Sequence, residues 1–303
     1  MQIVDSANMH AAASIDRVSA VVGSIAENYL AEVVEQLSYP RHFLAERESN
    51  RRACAWVAEE FRSLGYRVQK QGCYENIIAL HPSCSSSPRI LVGSHYDTVA
   101  NSPGADDNAS AVAVSLACAR ALIGFQERFS VAFVCFNREE DGLLGSKDYV
   151  EKLSEEEFAA LRVVHILEMV GFSSIKPASQ TLPEGLPVRV STTGDFLAVL
   201  SNHESNRLVA PLMRQASTYC PRLHVVGVKT YLRLEKHLKV LLRSDHAPFW
   251  QAGIPALMWT DTSEFRNPNY HQQTDTARTL NYQFMKHIAQ LLTAAILEDS
   301  LQS

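Results

Sequence analysis

Two histidines and a set of acids draw attention because each lies where an apolar stretch gives way to a polar one. His95 falls in Ser94-His95-Tyr96-Asp97, directly after an aliphatic run. A neutral imidazole binds a divalent cation through one ring nitrogen, and its other N–H then needs a carboxylate or carbonyl to fix the tautomer. Asp97, two residues on, can do this. A single histidine is more often just buried or exposed, so the case rests on the groups that follow. Gly104-Ala105-Asp106-Asp107-Asn108-Ala109-Ser110 is a turn leading into an alanine-rich segment. Asp107 suits a helix cap. It equally suits a carboxylate with one oxygen for each of two metals, because a helix start favours negative charge either way. Glu139-Glu140-Asp141 places three acids in a row after an apolar run, which is costly without a cation. A solvated acidic turn would explain the charge but not the position. Of the adjacent glutamates, Glu140 would bind metal and Glu139 would accept a proton from the metal's water. Glu168 ends the run RVVHIL, where a buried acid needs a partner. His271 lies in the polar loop 269–275, with Asp275 as a partner for its second nitrogen.

For these groups to meet, the segments carrying them must end together. Residues 89–94, 131–137 and 162–167 are short, β-branched and almost continuously apolar, as expected of central strands covered on both faces. They lead to His95, to Glu139 and Glu140, and to Glu168. A fourth such run, 255–260, precedes the loop of His271. Residues 108–123 are apolar on nearly every side and read as a buried crossover helix, and 281–297 as a closing helix. Upstream, 15–38 and 48–64 carry helical spacing; Ala53, Trp56, Val57, Phe61 and Leu64 share one face of the second, which Gly65 ends. Strands are expected near 66–70 and 75–80, then a polar turn through Ser85, Ser86 and Ser87 that Pro88 closes. The alternation predicts an α/β fold: a mixed, largely parallel central sheet sandwiched between helices, with the site beyond the carboxyl ends of the strands. No stretch reads as a long linker. One domain over 1–303 is expected, with a helical segment of about 1–65 packed on it. Residues 172–195 and 218–235 read as irregular surface insertions near the cleft.

Composition narrows the function classes. Apolar residues make up 46% and charged residues 20%, enough for a large core. The net charge is -5 with the signs mixed, so no basic face invites nucleic acid. The most basic stretch, 229–243, is diluted by Leu, Val and Glu and reads as a solvated helix face. Six cysteines form no CxxC pair, and nothing in their placement demands disulfides, which fits a reducing compartment. The opening residues lack the basic-then-apolar pattern of a signal peptide, and no apolar run approaches the roughly 20 residues that span a bilayer. A cytoplasmic protein without a membrane partner is expected. Neither a GxSxG elbow nor an HExxH helix occurs, so no covalent serine intermediate is implied.

HYD, GADDNAS, EEDGLLGS, LEMVG, SDHAPFWQAGIPA and YHQQTDT occur in the order, and at about the intervals, of the M28 family of zinc aminopeptidases, over roughly residues 90–276. Each piece is weak, but in combination the chain resembles that family closely. The resemblance implies two zinc ions per chain. His95 and Glu168 would hold one, Glu140 and His271 the other, and Asp107 would bridge them. Asp97 would orient the site, and Glu139 would be the general acid/base. The implied activity is a zinc-dependent exopeptidase, hydrolysing the N-terminal bond of a peptide or aminoacyl substrate through a metal-bridging hydroxide. The chain departs from the family at Glu168, where Asp is more usual, and at Ala111, where Gly is usual; the longer Glu168 puts the geometry at its metal in question. Asp245 and His246 also match, and are read either as lining or supporting the cleft or as a structural pair. The nearest rival is a glutaminyl cyclase-like acyltransferase with one zinc. A carboxypeptidase or deacylase with a similar site, and a non-catalytic binding relative, complete the alternatives. Phe249, Trp250, Trp259 and Phe265 lie near the motifs and could line an apolar pocket, though such residues are more often core.

Overall fold

Strands that are apolar on both faces are stable only with layers on each side, and that is how the chain arranges them. The computed structural model describes residues 1–84, 87–125 and 130–301. In chain order its first elements are β1 (Gln2–Asp5), α1 (Asp16–Gly23), α2 (Glu27–Leu37), α3 (Arg47–Ser63), β2 (Arg67–Gln71), β3 (Asn76–Leu80) and β4 (Ile90–His95). Then follow α4 (Ala111–Ile123), β5 (Val131–Phe136), α5 (Leu144–Glu151), α6 (Glu155–Ala160) and β6 (Val163–Glu168). The last are β7 (Phe196–Ser201), α7 (Asn206–Tyr219), β8 (His224–Lys229), α8 (His246–Gln251), β9 (Ala256–Thr260) and α9 (Tyr282–Leu301). Ser85 and Ser86 of the expected turn lie outside the described residues.

The strands form one nine-stranded sheet in the order β1-β8-β7-β9-β6-β4-β5-β3-β2. Its centre, β9-β6-β4-β5, is parallel, and antiparallel pairs flank it. The crossover between the parallel neighbours β4 and β5 is α4, in which every residue from Ala111 to Leu122 except Arg120 is buried. That explains a sequence apolar all round. Helices α1, α2, α4, α7 and α9 pack with one another on one face, and α4 and α7 also meet the sheet. A second, smaller core under α8 covers the other face.

Several expected elements differ. The stretch 15–38 is two helices, broken at 24–26 after Gly23, a weak helix former. The segment 1–65 is not wholly helical: Gln2–Asp5 pair antiparallel with β8, a strand too short to show a period. Residues 218–235 contain β8, buried between β7 and β1. The stretch 229–243 forms no solvated helix; after β8 it makes short helical turns at Leu234–Lys236 and Lys239–Leu242 that bury Leu241.

Candidate metal centre

Three parallel strands deliver their terminal residues to one place. His95 is the last residue of β4 and Glu168 the last of β6, while β5 ends three residues before Glu139. Asp107 comes from the tight turn Ala105–Ser110 ahead of α4, whose Asp107–Asn108 peptide is cis. His271 comes from the loop after β9, with its backbone in the left-handed region.

The distances define two groups with a common member. His95 Nε2 lies 3.3 Å from Asp107 Oδ1 and 3.5 Å from Glu168 Oε2. His271 Nε2 lies 3.2 Å from Asp107 Oδ2 and 3.4 Å from Glu140 Oε2. Asp107 thus turns one oxygen to each imidazole. A tetrahedral zinc with ligands at about 2.1 Å spaces neighbouring ligand atoms by roughly 3.4 Å. The four separations match that edge, and nitrogen and carboxylate oxygen are donors that suit zinc. His95 Nε2 and Asp107 Oδ1 are buried with no hydrogen-bond partner among the described residues. Buried polar atoms are normally paired, so these two fit a cation between them.

The supporting contacts are specific. Asp97, fully buried, sets its Oδ1 3.4 Å from His95 Nδ1 and accepts the backbone N–H groups of Glu139 and Glu140, tying β4 to the acidic turn. The Glu140 carboxylate accepts from Val99 N, and Ser244 Oγ donates to Glu168 Oε2 at 2.6 Å. The Asn108 amide bonds Leu167 O and Met169 N, clamping both neighbours of Glu168. Arg41, fully buried, reaches from the end of α2 to the carbonyls of Leu37, Tyr96, Pro103 and Gly104, and so holds the loops that carry Asp97 and Asp107. Arg41, Asn108 and Ser244 were not picked out from sequence. Their partners are largely backbone groups or residues distant in the chain, which leave no local pattern.

Three expectations need correction. Asp275 does not partner His271; its carboxylate accepts the backbone N–H groups of Asp106 and Asp107, fixing the shared carboxylate instead. Asp141 leaves the acidic trio and pairs with Arg138 and His42. Asp245 and His246 are not a pair: His246 donates to Leu241 O and packs on Trp250. Asp245 is buried beside the site, where burial lifts it to about 7 against the pull of His95.

The electrostatics follow from burial. It pushes Glu139 well above the usual carboxylate range, against the charge of His95 and with added repulsion from Glu168 and Glu140. Burial likewise lifts Glu140 to about 7, with repulsion from Asp107. It opposes the charge on His271, yet hydrogen bonds and charge from Asp107 and Glu140 hold that imidazole up at about 10. Protons are what balance these acids when no cation does.

Asp107, Glu139, Glu140, Glu168 and His271 open onto a cavity of about 480 Å³. The segment 180–190, read as an irregular insertion, forms part of its wall. Of the four aromatics singled out from sequence, Phe265 lines it; Phe249, Trp250 and Trp259 are core. Phe196 and Tyr270, not singled out, do line it, and Tyr270 stacks on His271 with ring centres 3.7 Å apart.

Comparison with known proteins places the chain. Residues 76–296 match the model of Peptidase family M28. The uncharacterized protein YfbL of Escherichia coli (strain K12) is 33% identical over 255 residues, covering 78% of this chain and 76% of that one. Aminopeptidase YwaD of Bacillus subtilis (strain 168) is 32% identical over 231 residues, 74% of this chain but 44% of its own length. Among solved structures, BSAP, a zinc aminopeptidase from Bacillus subtilis, superposes with a TM-score of 0.56 at 28% identity, covering 74% of this chain and 49% of that one. Porphyromonas gingivalis glutaminyl cyclase shares the fold, with a TM-score of 0.65 at 17% identity over 91% of this chain and 99% of that one.

Proposed function

The chain belongs to peptidase family M28, and from that premise we propose that it is an aminopeptidase working with two zinc ions, one in each of the groups that share Asp107. The observation that carries this is the bridging carboxylate, with one oxygen 3.3 Å from His95 and the other 3.2 Å from His271. His95, Asp107 and Glu168 would hold one ion, and Asp107, Glu140 and His271 the other. A zinc pair supplies Lewis acidity toward a carbonyl oxygen and lowers the pKa of water toward about 7.

The chain's own residues supply the rest. Glu139 lines the same cavity and belongs to neither group of ligands, which leaves its carboxylate free to take a proton from water and hand it to the leaving amine. Asp97 fixes the His95 ring through Nδ1 and holds the turn that carries Glu139. Water adds across the scissile C–N bond, giving a carboxylate and a free amine. A glutaminyl cyclase-like reading draws on the shared fold, but a one-zinc site leaves the second oxygen of Asp107 and His271 without a task.

The deciding experiment combines zinc quantitation with aminoacyl chromogenic substrates, with and without chelator. Two zinc ions per chain and chelator-sensitive release of free amino acids are expected. Glu139→Gln should keep its zinc and lose on the order of 10²–10⁴ in turnover. Near-normal activity in that variant would remove Glu139 from the mechanism, and a single zinc with cyclised product would favour the cyclase reading.

A further inference from the structure

The cavity continues well past the metal-binding residues. Its floor is one face of the sheet: Glu168 on β6, then Thr260 on β9, Ala198 on β7 and Val226 on β8, which lie side by side in register. Strands sit about 4.8 Å apart, so the floor runs roughly 14 Å from the metal centre. Beyond β9 the floor side chains are all apolar, and Leu186, Val188 and Val190 line the same cavity, Val190 packing against Phe196, Ala198 and Val226. The segment 180–190 is fastened in place. Arg266 bonds Phe196 O on the floor and Gln180 Oε1 at the start of the covering segment, and Thr181 N bonds Phe265 O.

A leucine side chain spans only about 4 Å at roughly 1.5 Å a bond, so one ordinary side chain stops short of the far floor, where Ala198 and Val226 keep a narrow opening of 4% and 3% of their surface. An extended peptide would reach, but the strands below already use their backbone groups in the ladder. Its own N–H and C=O groups would lose water over that floor and find no partners among the floor side chains beyond β9. An alkyl chain has no such groups to lose, and each buried methylene strengthens binding about fourfold. We propose that the groove takes a long unbranched apolar chain, on the order of ten bonds, carried on the acyl side of the scissile amide. This rests on the peptidase reading and names the substrate class of the same site.

The test is a series of zinc-loaded assays on the 4-nitroanilides of alanine, norleucine, 2-aminooctanoic acid and 2-aminodecanoic acid. We expect kcat/KM to keep rising past norleucine, by at least about tenfold to the decanoyl member. Val226→Phe fills the far floor and should lower the decanoyl-to-alanyl ratio at least tenfold. A second readout needs no catalysis: 11-(dansylamino)undecanoate should gain fluorescence with the parent protein, lose it on adding decanoate, and gain little with Val226→Phe. A ratio that is flat or falls beyond norleucine overturns the proposal, whether or not the probe binds. If no anilide is cleaved, the peptidase reading fails and probe binding alone decides the groove. If short anilides are cleaved without a gain from length, the groove assignment fails and the peptidase reading stands.

Discussion

Replacing Arg41 with methionine keeps much of the buried stem and removes every donor. Five carbonyls accept from its guanidinium, those of Leu37, Tyr96, Pro103 and Gly104 at 2.6–2.9 Å and that of Tyr39, which is half-buried and within reach of water, at 3.2 Å. Leu37 O retains Tyr39 N, and Gly104 O retains Ala109 N. Tyr96 O and Pro103 O lose the partners described here, and a buried polar group left unmade costs about 1–3 kcal/mol, giving roughly 2–6 kcal/mol for the two. Against this stands the desolvation of the guanidinium, which burial lowers to about 10 and which methionine avoids. A net loss in the lower part of the range, about 2–3 kcal/mol, is therefore expected. At roughly 2–4 °C per kcal/mol, Tm should fall by about 4–12 °C. Because the orphaned carbonyls lie in the loops holding Asp97 and Asp107, zinc affinity should fall as well. Differential scanning calorimetry and chelator competition measure the two effects. A Tm within 2 °C of the parent and unchanged zinc affinity would refute the claim that this side chain braces the site.

Three further outcomes are expected. Ser244→Ala removes the hydroxyl bonded to Glu168 and should weaken zinc binding about 10–100-fold, read by competition with a chromogenic chelator; unchanged affinity would count against it. Gly104→Ala should unfold the protein at a markedly lower temperature: the residue has φ +58°, and a Cβ there would overlap Thr98 and the Asp107 carbonyl. A Tm equal to the parent's would show that the turn is not so confined. Acid should destabilise the fold partly through His165 and His246, which burial lowers to about 4 from an ordinary value near 6.5. Above pH 6.5 neither the folded nor the unfolded state protonates them, so they add no pH dependence. From pH 6.5 to 4 the unfolded chain binds protons that the folded one refuses, and stability falls by up to about 1.4 kcal/mol per pH unit per site. His165→Leu should flatten the urea midpoint across that window, and an unaltered slope would exclude His165 as a contributor.

The parts of the site that sequence made legible are those where a strand end and a functional group coincide. His95 and Glu168 each close an apolar run, so reading the strand also reads the position of the side chain. Glu140 follows at a fixed distance from β5. His271 is different: it sits in an irregular loop, and family resemblance rather than any period singled it out. The central strands were legible for the same reason as the site, since burial on both faces writes itself as an unbroken apolar run. β1 has four residues and carries no such pattern, and β8, separated from α7 by four residues, has polar ends and a central Gly227 that interrupt its apolar run. Arg41 reads locally as one more surface charge, because its acceptors are carbonyls up to 63 positions away.

The loop after β9 does two jobs, presenting His271 to one oxygen of Asp107 while Asp275 grips the backbone of that same aspartate. Any event that lifts the loop therefore withdraws a ligand and unclamps the shared carboxylate in one motion. For the ion pair proposed above, loss should then be all-or-none, both ions leaving as a unit. The segment that completes the cage comes late in the chain, so nascent chains that stop short of it would lack a formed cage altogether.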